Sequence, residues 1–563
     1  MLAAIAIKIE VVAVSRLCRR LLAVATIVTV AMLSFAMLPG TARAAGIGAI
    51  TVDVTVATRY DAYQLFSATV VDDADTDQKI ATDVTWAKDA VRQAVLPVLY
   101  DAGLDSSAST AQAAAEWMNA DGHMTTALAT KLARAICRSG VPSVALNAGA
   151  AAELPCGYWF IVADDDAIAQ NEAGTAPIMA LVGGNAVAVK PKAATPKVAK
   201  HVLEDSTAAW QKAADATVAD DLYWRLSATV PAGLTAYDTY TVRFVDTMGA
   251  GLDPSKVAAS MRVYVAAGAD GGFDAVSAGK DGRAGTELAK GWTDITAQCA
   301  TKVAADGKTF TVRTGDLIAA LGGADVFAAG ARVVAVYNAP LGTNCNRGAT
   351  KGNPNEVYLR YPRSPLADQS GDAGFTRTPS DDACAYTWGL SLIKRSSSDD
   401  KPLAGAKLRI IDDRGRILTT DGSWSTDAAA HVTTGADGHV ELSGVDAGVH
   451  TVEEVAAPKG YTAFEGKRTV TVTAEGLDVK QVAAAKPKVT VSVESPLRVD
   501  TADAGTGSIE LSVLNTPTKE ASRGFMPSTG DRALVLVAAL AAIGVAAIVV
   551  ALVIKRGGGR REK

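Results

Sequence analysis

The chain has 563 residues, of which 49% are hydrophobic and 20% are charged, and its formal net charge is −5 at pH 7. This length allows about three domains of ordinary size, each able to bury its own core. Because the net charge is negative and no basic block occurs between the two ends of the chain, the composition argues against nucleic acid as a partner.

Residues 1–44 have the pattern of a secretory signal peptide. Three arginines between positions 16 and 20 precede an apolar stretch at residues 21–38, and Ala42 and Ala44 supply small side chains for cleavage. We expect this segment to be removed and the mature chain to be exported, starting near Ala45. The cleavage position itself stays open.

The segment 45–192 is predicted to be an α+β domain. Apolar and polar residues alternate from Ile50 to Ala57, which predicts a strand. Alanine-rich stretches predict helices from Ala87 to Leu96, where Pro97 ends the helix, and within Thr110 to Ile136.

Five cysteines remain after removal of the signal peptide. Disulfides are permitted in an exported chain, and Cys137 with Cys156 is the expected local pair. Cys299, Cys345 and Cys384 leave an odd thiol, so their pairing stays open.

The sequence lacks the signatures of common enzyme sites. Its five histidines show no metal-ligand spacing, which argues against a metal site. The glycine-rich stretch at residues 272–280 has the wrong spacing for a phosphate-binding loop. No nucleophile, base and orienting group can be nominated, so we expect a structural protein without a cofactor and not a turnover enzyme.

Helical periodicity fades after about residue 196, and short apolar runs follow, separated by Gly, Asp, Asn and Pro. Three of them span Tyr240–Val245, Arg332–Tyr337 and Glu356–Tyr361. Such runs predict β-sandwiches, which we place at 193–370 and 385–518, with the boundary in the polar stretch between them. The predicted fold is mainly β, with tandem immunoglobulin-like β-sandwiches after the α+β domain.

Three predicted strands of segment 385–518 place a polar side chain in line with apolar ones. Residues two apart in a strand lie on the same face. Lys394 follows Trp388, Leu390 and Leu392 in this way, and Asn515 follows Ile509, Leu511 and Val513. Glu454 likewise follows Val452. Burial lowers the pKa of a lysine and raises that of a carboxyl. A neutral amine can attack an amide carbon while a carboxyl moves the proton. We therefore predict a Lys394–Asn515 isopeptide bond with Glu454 as acid and base.

The same residues carry a resemblance to a Cna protein B-type domain. It rests on segments 392–394, 401–406, 452–461 and 514–517, the third of which resembles the E-box of pilins, with Val455 in place of the usual Thr. The resemblance implies the same bond. The long separation of Glu454 from Asn515 implies an inserted loop.

The segment 193–370 is similar to a fimbrial isopeptide domain through residues 196–202 and 240–248. Lys200 and Asp246 each share a strand face with apolar residues, and the resemblance implies a second isopeptide bond formed by Lys200 with Asp246 as catalyst. Where the family has its asparagines after a tyrosine, this chain has Tyr361-Pro-Arg-Ser-Pro. Asn355 is therefore the candidate partner, with Asn338 as the second choice.

The end of the chain, residues 519–563, resembles an LPxTG cell-wall sorting signal behind a short stalk. An apolar run at 533–554 is long enough to span a membrane and is followed by basic residues. The resemblance implies that a sortase cleaves between Thr and Gly and transfers the Thr carbonyl to an amine. A simple membrane anchor is the alternative. The sorting pentapeptide consists of Met526, Pro527, Ser528, Thr529 and Gly530, with Met in place of Leu.

Residues 187–192 resemble the pilin motif that supplies the acceptor amine. Lys192 is the expected acceptor, Lys190 stands where the family has Tyr, and the choice between the two lysines stays open. Residues 60–66 and 157–159 of the first domain resemble Spa-type major pilins. Nearly the whole mature chain thus resembles a Spa-type backbone pilin.

That resemblance implies an extracellular, cell-wall-anchored pilus and a role in adhesion. The implied partners are pilin-specific and housekeeping sortases, identical pilin subunits, minor pilins, peptidoglycan and a host surface. The alternative is a wall-anchored adhesin, monomeric or at a pilus tip, which would not need Lys192. The adhesion ligand cannot be predicted from these residues.

Overall fold

The computed structural model describes residues 46–73, 78–191, 194–278, 284–420 and 422–518. The predicted signal peptide, Lys192, the pentapeptide Met526–Gly530 and the apolar run 533–554 lie outside these ranges. Within them, no helix is both long and apolar enough to cross a membrane. The described residues form two compact units. The first unit contains those up to Asn346, with Gly352–Tyr386 and Leu477–Ala485. The second unit contains Arg347–Lys351, Thr387–Gly476 and the residues from Lys486.

The N-terminal part of the first unit combines two sheets with three helices. Its elements are β1 (Ile47–Val52), β2 (Arg59–Asp72), β3 (Lys79–Trp86), α1 (Asp89–Asp101), α2 (Ala111–Asn119), α3 (Thr126–Arg138), β4 (Val144–Asn147), β5 (Ala151–Pro155), β6 (Gly157–Ala163), β7 (Ile178–Val182) and β8 (Val187–Val189). One sheet has the order β3-β2-β6-β7 with β4 beside β2, and the other β5-β1-β8. The helices share a core with β2, β3 and β6. The predicted α+β organisation is confirmed.

The helices differ from the prediction at Pro97. The first helix continues through Pro97 to Asp101. A proline inside a helix removes one backbone hydrogen bond. Val95, Leu96 and Leu99 on either side of it are buried in the core, and this packing holds the helix together across the proline. The later stretch forms two helices, because Thr125 caps a new one by accepting a hydrogen bond from the backbone of Leu128 at 3.1 Å.

The expected disulfide between Cys137 and Cys156 is wrong, since both thiols are free. Cys137 lies in the last turn of α3 and its thiol contacts the hydroxyl of Tyr63 on β2. Cys156 instead lies beside residue 68 of the same strand, whose N–H donates to the Cys156 carbonyl at 3.4 Å. The two cysteines therefore have different neighbours, and no disulfide joins them.

The remainder of the first unit is a sandwich of two large sheets. Its elements are β9 (Lys197–Glu204), β10 (Ala209–Gln211), β11 (Ala213–Asp215), β12 (Tyr223–Val230), β13 (Arg243–Met248), α4 (Val257–Ser260), β14 (Arg262–Ala267), β15 (Val276–Ala278), β16 (Ala284–Leu288), β17 (Trp292–Asp294), β18 (Ala300–Val303), β19 (Thr309–Arg313), α5 (Leu317–Ala320), α6 (Ala324–Phe327), β20 (Ala331–Asn338), β21 (Asn353–Pro362), β22 (Phe375–Arg377) and β23 (Asp381–Tyr386).

One sheet of this sandwich has the order β10-β9-β12-β20-β14-β17, and the facing sheet has the order β11-β23-β21-β13-β19-β18 with β22 beside β21. Large aromatic and aliphatic side chains from both sheets fill the space between them. The strands β22 and β23 follow residue 370, where we placed the end of this domain. The sandwich therefore extends to Tyr386.

The second unit is a smaller sandwich. Its strands are β24 (Trp388–Ser396), β25 (Lys407–Ile411), β26 (Ile417–Leu418), β27 (Trp424–Ser425), β28 (Val432–Thr433), β29 (His439–Val445), β30 (Gly448–Ala456), β31 (Tyr461–Thr462), β32 (Lys467–Glu475), β33 (Lys488–Val493), β34 (Leu497–Asp503) and β35 (Ser508–Pro517). One sheet has the order β29-β24-β35-β31 with β34 beside β35, and the other β27-β26-β25-β30-β32-β33 with β28 beside β25. The predicted tandem β-sandwiches are confirmed.

The extra length between Glu454 and Asn515 contains regular structure where we expected an inserted loop. It holds β33, which pairs with β32, and β34, which pairs with β35. The first and last strands of the unit, β24 and β35, are parallel neighbours over residues 389–396 and 508–515.

Candidate functional site: two buried clusters of lysine, carboxylate and asparagine

The strands of the second unit bring Lys394, Glu454 and Asn515 together. Lys394 lies on β24 and Asn515 on β35, where Asn515 pairs with residue 396, two positions beyond the lysine. Glu454 lies on β30 in the facing sheet. The strand alternation turns all three side chains into the core, and the side chains of Lys394 and Glu454 have no exposed surface.

The three polar groups are in mutual contact. The Lys394 amine donates to Asn515 Oδ1 at 2.5 Å and lies 3.1 Å from Glu454 Oε1. The Asn515 amide donates to the same carboxylate oxygen at 2.8 Å. The other carboxylate oxygen accepts the backbone N–H of Phe464 at 3.0 Å. One carboxyl group thus touches both the amine and the amide.

Burial makes the Lys394 amine a better nucleophile. Desolvation lowers the pKa of Lys394 to about 8, although the nearby Glu454 charge opposes the shift. The ring of Phe464 lies 5.3 Å from the amine. At pH 7 about a tenth of such lysines are neutral, against about three in ten thousand at the ordinary pKa.

The sandwich of the first unit holds a second cluster. Lys200 lies on β9 in one sheet, and Asp246 on β13 and Asn355 on β21 lie in the facing sheet. All three residues are fully buried. The Lys200 amine forms an ion pair with Asp246.

A tyrosine that we did not predict connects this second cluster. The Tyr337 hydroxyl accepts from the Lys200 amine at 2.9 Å and from the Asn355 amide at 2.9 Å, and it donates to Asp246 at 3.0 Å. The only sequence signal is that Tyr337 continues the apolar alternation of Val333 in a predicted strand. No motif marks its hydroxyl as part of a site.

The lysine of the second cluster is shifted in pKa in the same direction as the lysine of the first. Desolvation lowers the pKa of Lys200 to about 8 and raises the pKa of Asp246, while the attraction between the two charges opposes both shifts. Asp246 Oδ1 and Asn355 Oδ1 are buried and have no hydrogen-bond partner among the described residues. A buried polar atom without a partner is costly, so a further hydrogen bond to either oxygen would stabilise the cluster.

The second-choice asparagine is engaged elsewhere. Asn338 donates to Asp221 at 2.7 Å and accepts the backbone N–H of Leu222 at 3.1 Å. Its amide is therefore occupied in stabilising the loop before β12, whereas Asn355 touches the hydroxyl that also binds Lys200.

Of the two acceptor candidates in the pilin-like motif, Lys190 is exposed directly after β8, and Lys192 lies outside the described residues.

Both clusters have the groups needed to form an amide bond. A neutral lysine amine can attack the asparagine Cγ, forming the new C–N bond while the bond to Nδ2 breaks. The carboxyl can take the proton from the amine and pass it to the leaving group, which departs as ammonia. The fold holds the Lys394 amine in contact with the Asn515 amide, and the Tyr337 hydroxyl bridges the Lys200 amine and the Asn355 amide. Proximity therefore supplies a large part of the rate.

Comparison with known proteins adds independent information. Residues 389–486 match the family described as SpaA, prealbumin-like fold domain. The trypsin-resistant surface T6 protein of Streptococcus pyogenes serotype M6 is 27% identical over 120 residues. That match covers 20% of this chain and 20% of the relative, so the aligned part spans a fifth of the relative's length.

Similar solved structures cover most of both chains. The T6 backbone pilin of serotype M6 Streptococcus pyogenes has 15% identity and a TM-score of 0.45, with 85% of this chain and 100% of that chain covered. The major pilin SpaD of Corynebacterium diphtheriae has 14% identity and a TM-score of 0.42, with 84% and 98% covered. The major pilin BcpA of Bacillus cereus has 11% identity and a TM-score of 0.37, with 84% and 99% covered.

Proposed function

We propose that this chain, which carries a SpaA prealbumin-like domain at residues 389–486, is the backbone subunit of a covalently polymerised surface pilus. The family match supports the resemblance to Spa-type backbone pilins that the sequence motifs predicted. In this proposal the protein is a structural subunit. Its only chemistry of its own is the formation of its internal crosslinks.

The observation that carries the proposal is the buried contact of Lys394, Glu454 and Asn515. It joins the first strand of a sandwich to the last. Tension along a fibre enters such a domain at β24 and leaves it at β35, so a Lys394–Asn515 bond passes the load across one covalent link. The intervening residues are then protected from being pulled out, which is kinetic stability against force.

The cluster of Lys200, Asp246 and Asn355 supports a second crosslink by the same reaction. Its amine and its asparagine amide come from facing sheets, so a Lys200–Asn355 bond would tie the two sheets of the larger sandwich together. Each bond releases one ammonia. A chain with both bonds is therefore lighter than its sequence mass by two ammonia molecules.

Polymerisation is proposed from the two end motifs. A sortase would cleave after Thr529 and join its carbonyl to the amine of Lys192 in the next subunit. Each subunit offers one donor and one acceptor at different places, so repetition gives an open, head-to-tail fibre. A housekeeping sortase would attach the base of the fibre to peptidoglycan, and minor pilins would join the same assembly.

Denaturing electrophoresis of the boiled cell-wall fraction tests this proposal. The wild type should give a ladder of high-mass species, and Lys192→Ala should remove it. Lys190→Ala is the matched control, since it removes a lysine two positions away, and its ladder should persist. A single monomer band in the wild type would contradict the backbone role and favour a wall-anchored adhesin; a ladder lost only in Lys190→Ala would reassign the acceptor.

A further inference from the structure

Lys200 lies on a stretch of β9 that has a strand neighbour on one side only. On that side Lys200 pairs with Leu226 of β12. On the other side β10 pairs only with residues 202–204. The backbone N–H and C=O of Lys200 point to this open side, where no strand in the described part of the chain receives them.

An ion pair of two side chains takes the place of the missing strand. The backbone N–H of Lys200 donates to Asp381 Oδ2 at 2.7 Å, and the Lys212 amine donates to the Lys200 carbonyl at 2.8 Å. Lys212 and Asp381 are also paired with each other. Both backbone groups of the reacting lysine are thus held by one charged pair.

The ion pair also links Lys200 to the strands around Asn355. Asp381 begins β23, and Ala383 of that strand pairs with Asn355 on β21. Lys212 lies between β10 and β11, and β11 pairs with β23. The backbone of the nucleophile is therefore tied to the strand beside its target amide, across the two sheets.

We propose that Lys212 and Asp381 are positioning residues for the reaction of Lys200 with Asn355. They fix the backbone of Lys200 so that its amine is aimed at the asparagine amide, and they do not touch the reacting atoms. This inference rests on the proposed isopeptide reaction. Small displacements of aligned reactants cost large factors in rate, so the loss of this pair should slow the bond.

The contacts explain why Lys200 reacts and Lys212 does not. The Lys212 amine donates to the Lys200 carbonyl, to Asp381 and to the Asp382 carbonyl at 3.0 Å. These three acceptors match the three N–H donors of an ammonium group, so the Lys212 amine is fully engaged in hydrogen bonds. The Lys200 amine instead contacts Asp246 and the Tyr337 hydroxyl, which in turn contacts the Asn355 amide.

The pair should also set the pH dependence of the bond. The groups that face Lys200 are Asp246 and the Tyr337 hydroxyl at its amine, with Asp381 and Lys212 at its backbone. The Asp381 charge raises the pKa of Lys200, and the Lys212 charge lowers it. Because the reaction needs the neutral amine, removing each charge should move the pH midpoint in opposite directions.

The test follows bond formation in the mature chain after cell-free synthesis. Samples are transferred to buffers from acid to alkaline pH, and the Lys200–Asn355 and Lys394–Asn515 crosslinks are quantified by peptide mass mapping. Asp381→Ala should slow the Lys200–Asn355 bond by about 10- to 100-fold and leave the Lys394–Asn515 bond unchanged. Asp382→Ala is the matched control, because the backbone carbonyl of Asp382 makes its contact with Lys212, and it should behave as the wild type.

Two conservative variants separate positioning from a general effect on folding. Asp381→Asn keeps an oxygen for the backbone N–H of Lys200, so it should react faster than Asp381→Ala, with its pH midpoint moved down. Lys212→Met should move the midpoint up. Wild-type rates in Asp381→Ala, or unmoved midpoints in both conservative variants, would overturn the inference. A wild-type chain without the Lys200–Asn355 crosslink would instead refute the proposed reaction in this domain, and the inference with it.

Discussion

Replacing Glu454 with glutamine should sharply slow the Lys394–Asn515 bond. Glutamine has nearly the same shape and keeps an oxygen that can accept the backbone N–H of Phe464. It cannot take a proton from the amine or deliver one to the departing ammonia. The variant therefore removes the proposed acid and base from the site with little change in packing.

Two effects of this substitution oppose each other, and their sizes decide the outcome. The Glu454 charge raises the pKa of Lys394, so its removal lets more of the amine become neutral. From about a tenth neutral at pH 7, that gain is at most about tenfold. Losing general acid and base catalysis costs about 10²- to 10⁴-fold. The net rate should fall by about 10- to 1000-fold.

Intact mass measured over time after synthesis checks this prediction, since each bond removes one ammonia. The rate in the wild type should rise as the pH rises through about 8, where Lys394 loses its proton. Glu453→Gln is the matched control, because Glu453 is partly exposed and lies 3.5 Å from Arg409 at its nearest contact. Equal rates for Glu454→Gln and the wild type would refute the acid and base role. A faster variant would mean that Glu454 only slows the reaction, because its charge raises the pKa of Lys394.

Three further predictions use other parts of the structure. Tyr337→Phe should slow the Lys200–Asn355 bond about tenfold, because losing a bridging hydrogen bond between buried groups costs about 1–3 kcal/mol; peptide mapping would show an unchanged rate if the hydroxyl has no role. Lys394→Ala should add an unfolding step of about 400 Å in single-molecule pulling. The step comes from the 121 residues that separate Lys394 from Asn515, at about 3.4 Å for each residue. A wild-type chain that already shows this step would contradict the crosslink. Alkylation of the denatured, unreduced chain should label both Cys137 and Cys156, and an unlabelled pair would restore the disulfide.

The sequence identified the residues of both clusters because strand alternation is a short-range rule. A lysine two positions after Leu392 must share its face whatever the rest of the fold does. The structure buries Lys394 and Lys200 completely, as that rule requires. Which lysine meets which asparagine depends on strand order, and the family resemblance, not periodicity, supplied that pairing.

The parts that sequence missed depend on long-range packing. The hydroxyl of Tyr337 and the pair of Lys212 with Asp381 act through neighbours far away in the chain, with Asp381 separated from Lys212 by 169 positions. The helix through Pro97 persists because of core contacts that no local pattern reveals. The spacing of Cys137 and Cys156 suggested a local disulfide, but the Cys137 thiol instead contacts the hydroxyl of Tyr63.

Peptide mapping of the high-mass cell-wall species tests the central claim most directly. A protease digest should contain a branched peptide in which the carbonyl of Thr529 is joined to the side-chain amine of Lys192 from another subunit. Digests of Lys192→Ala should lack it. A digest in which Thr529 is joined only to peptidoglycan, with no link between subunits, would contradict the account and leave a monomeric wall-anchored protein.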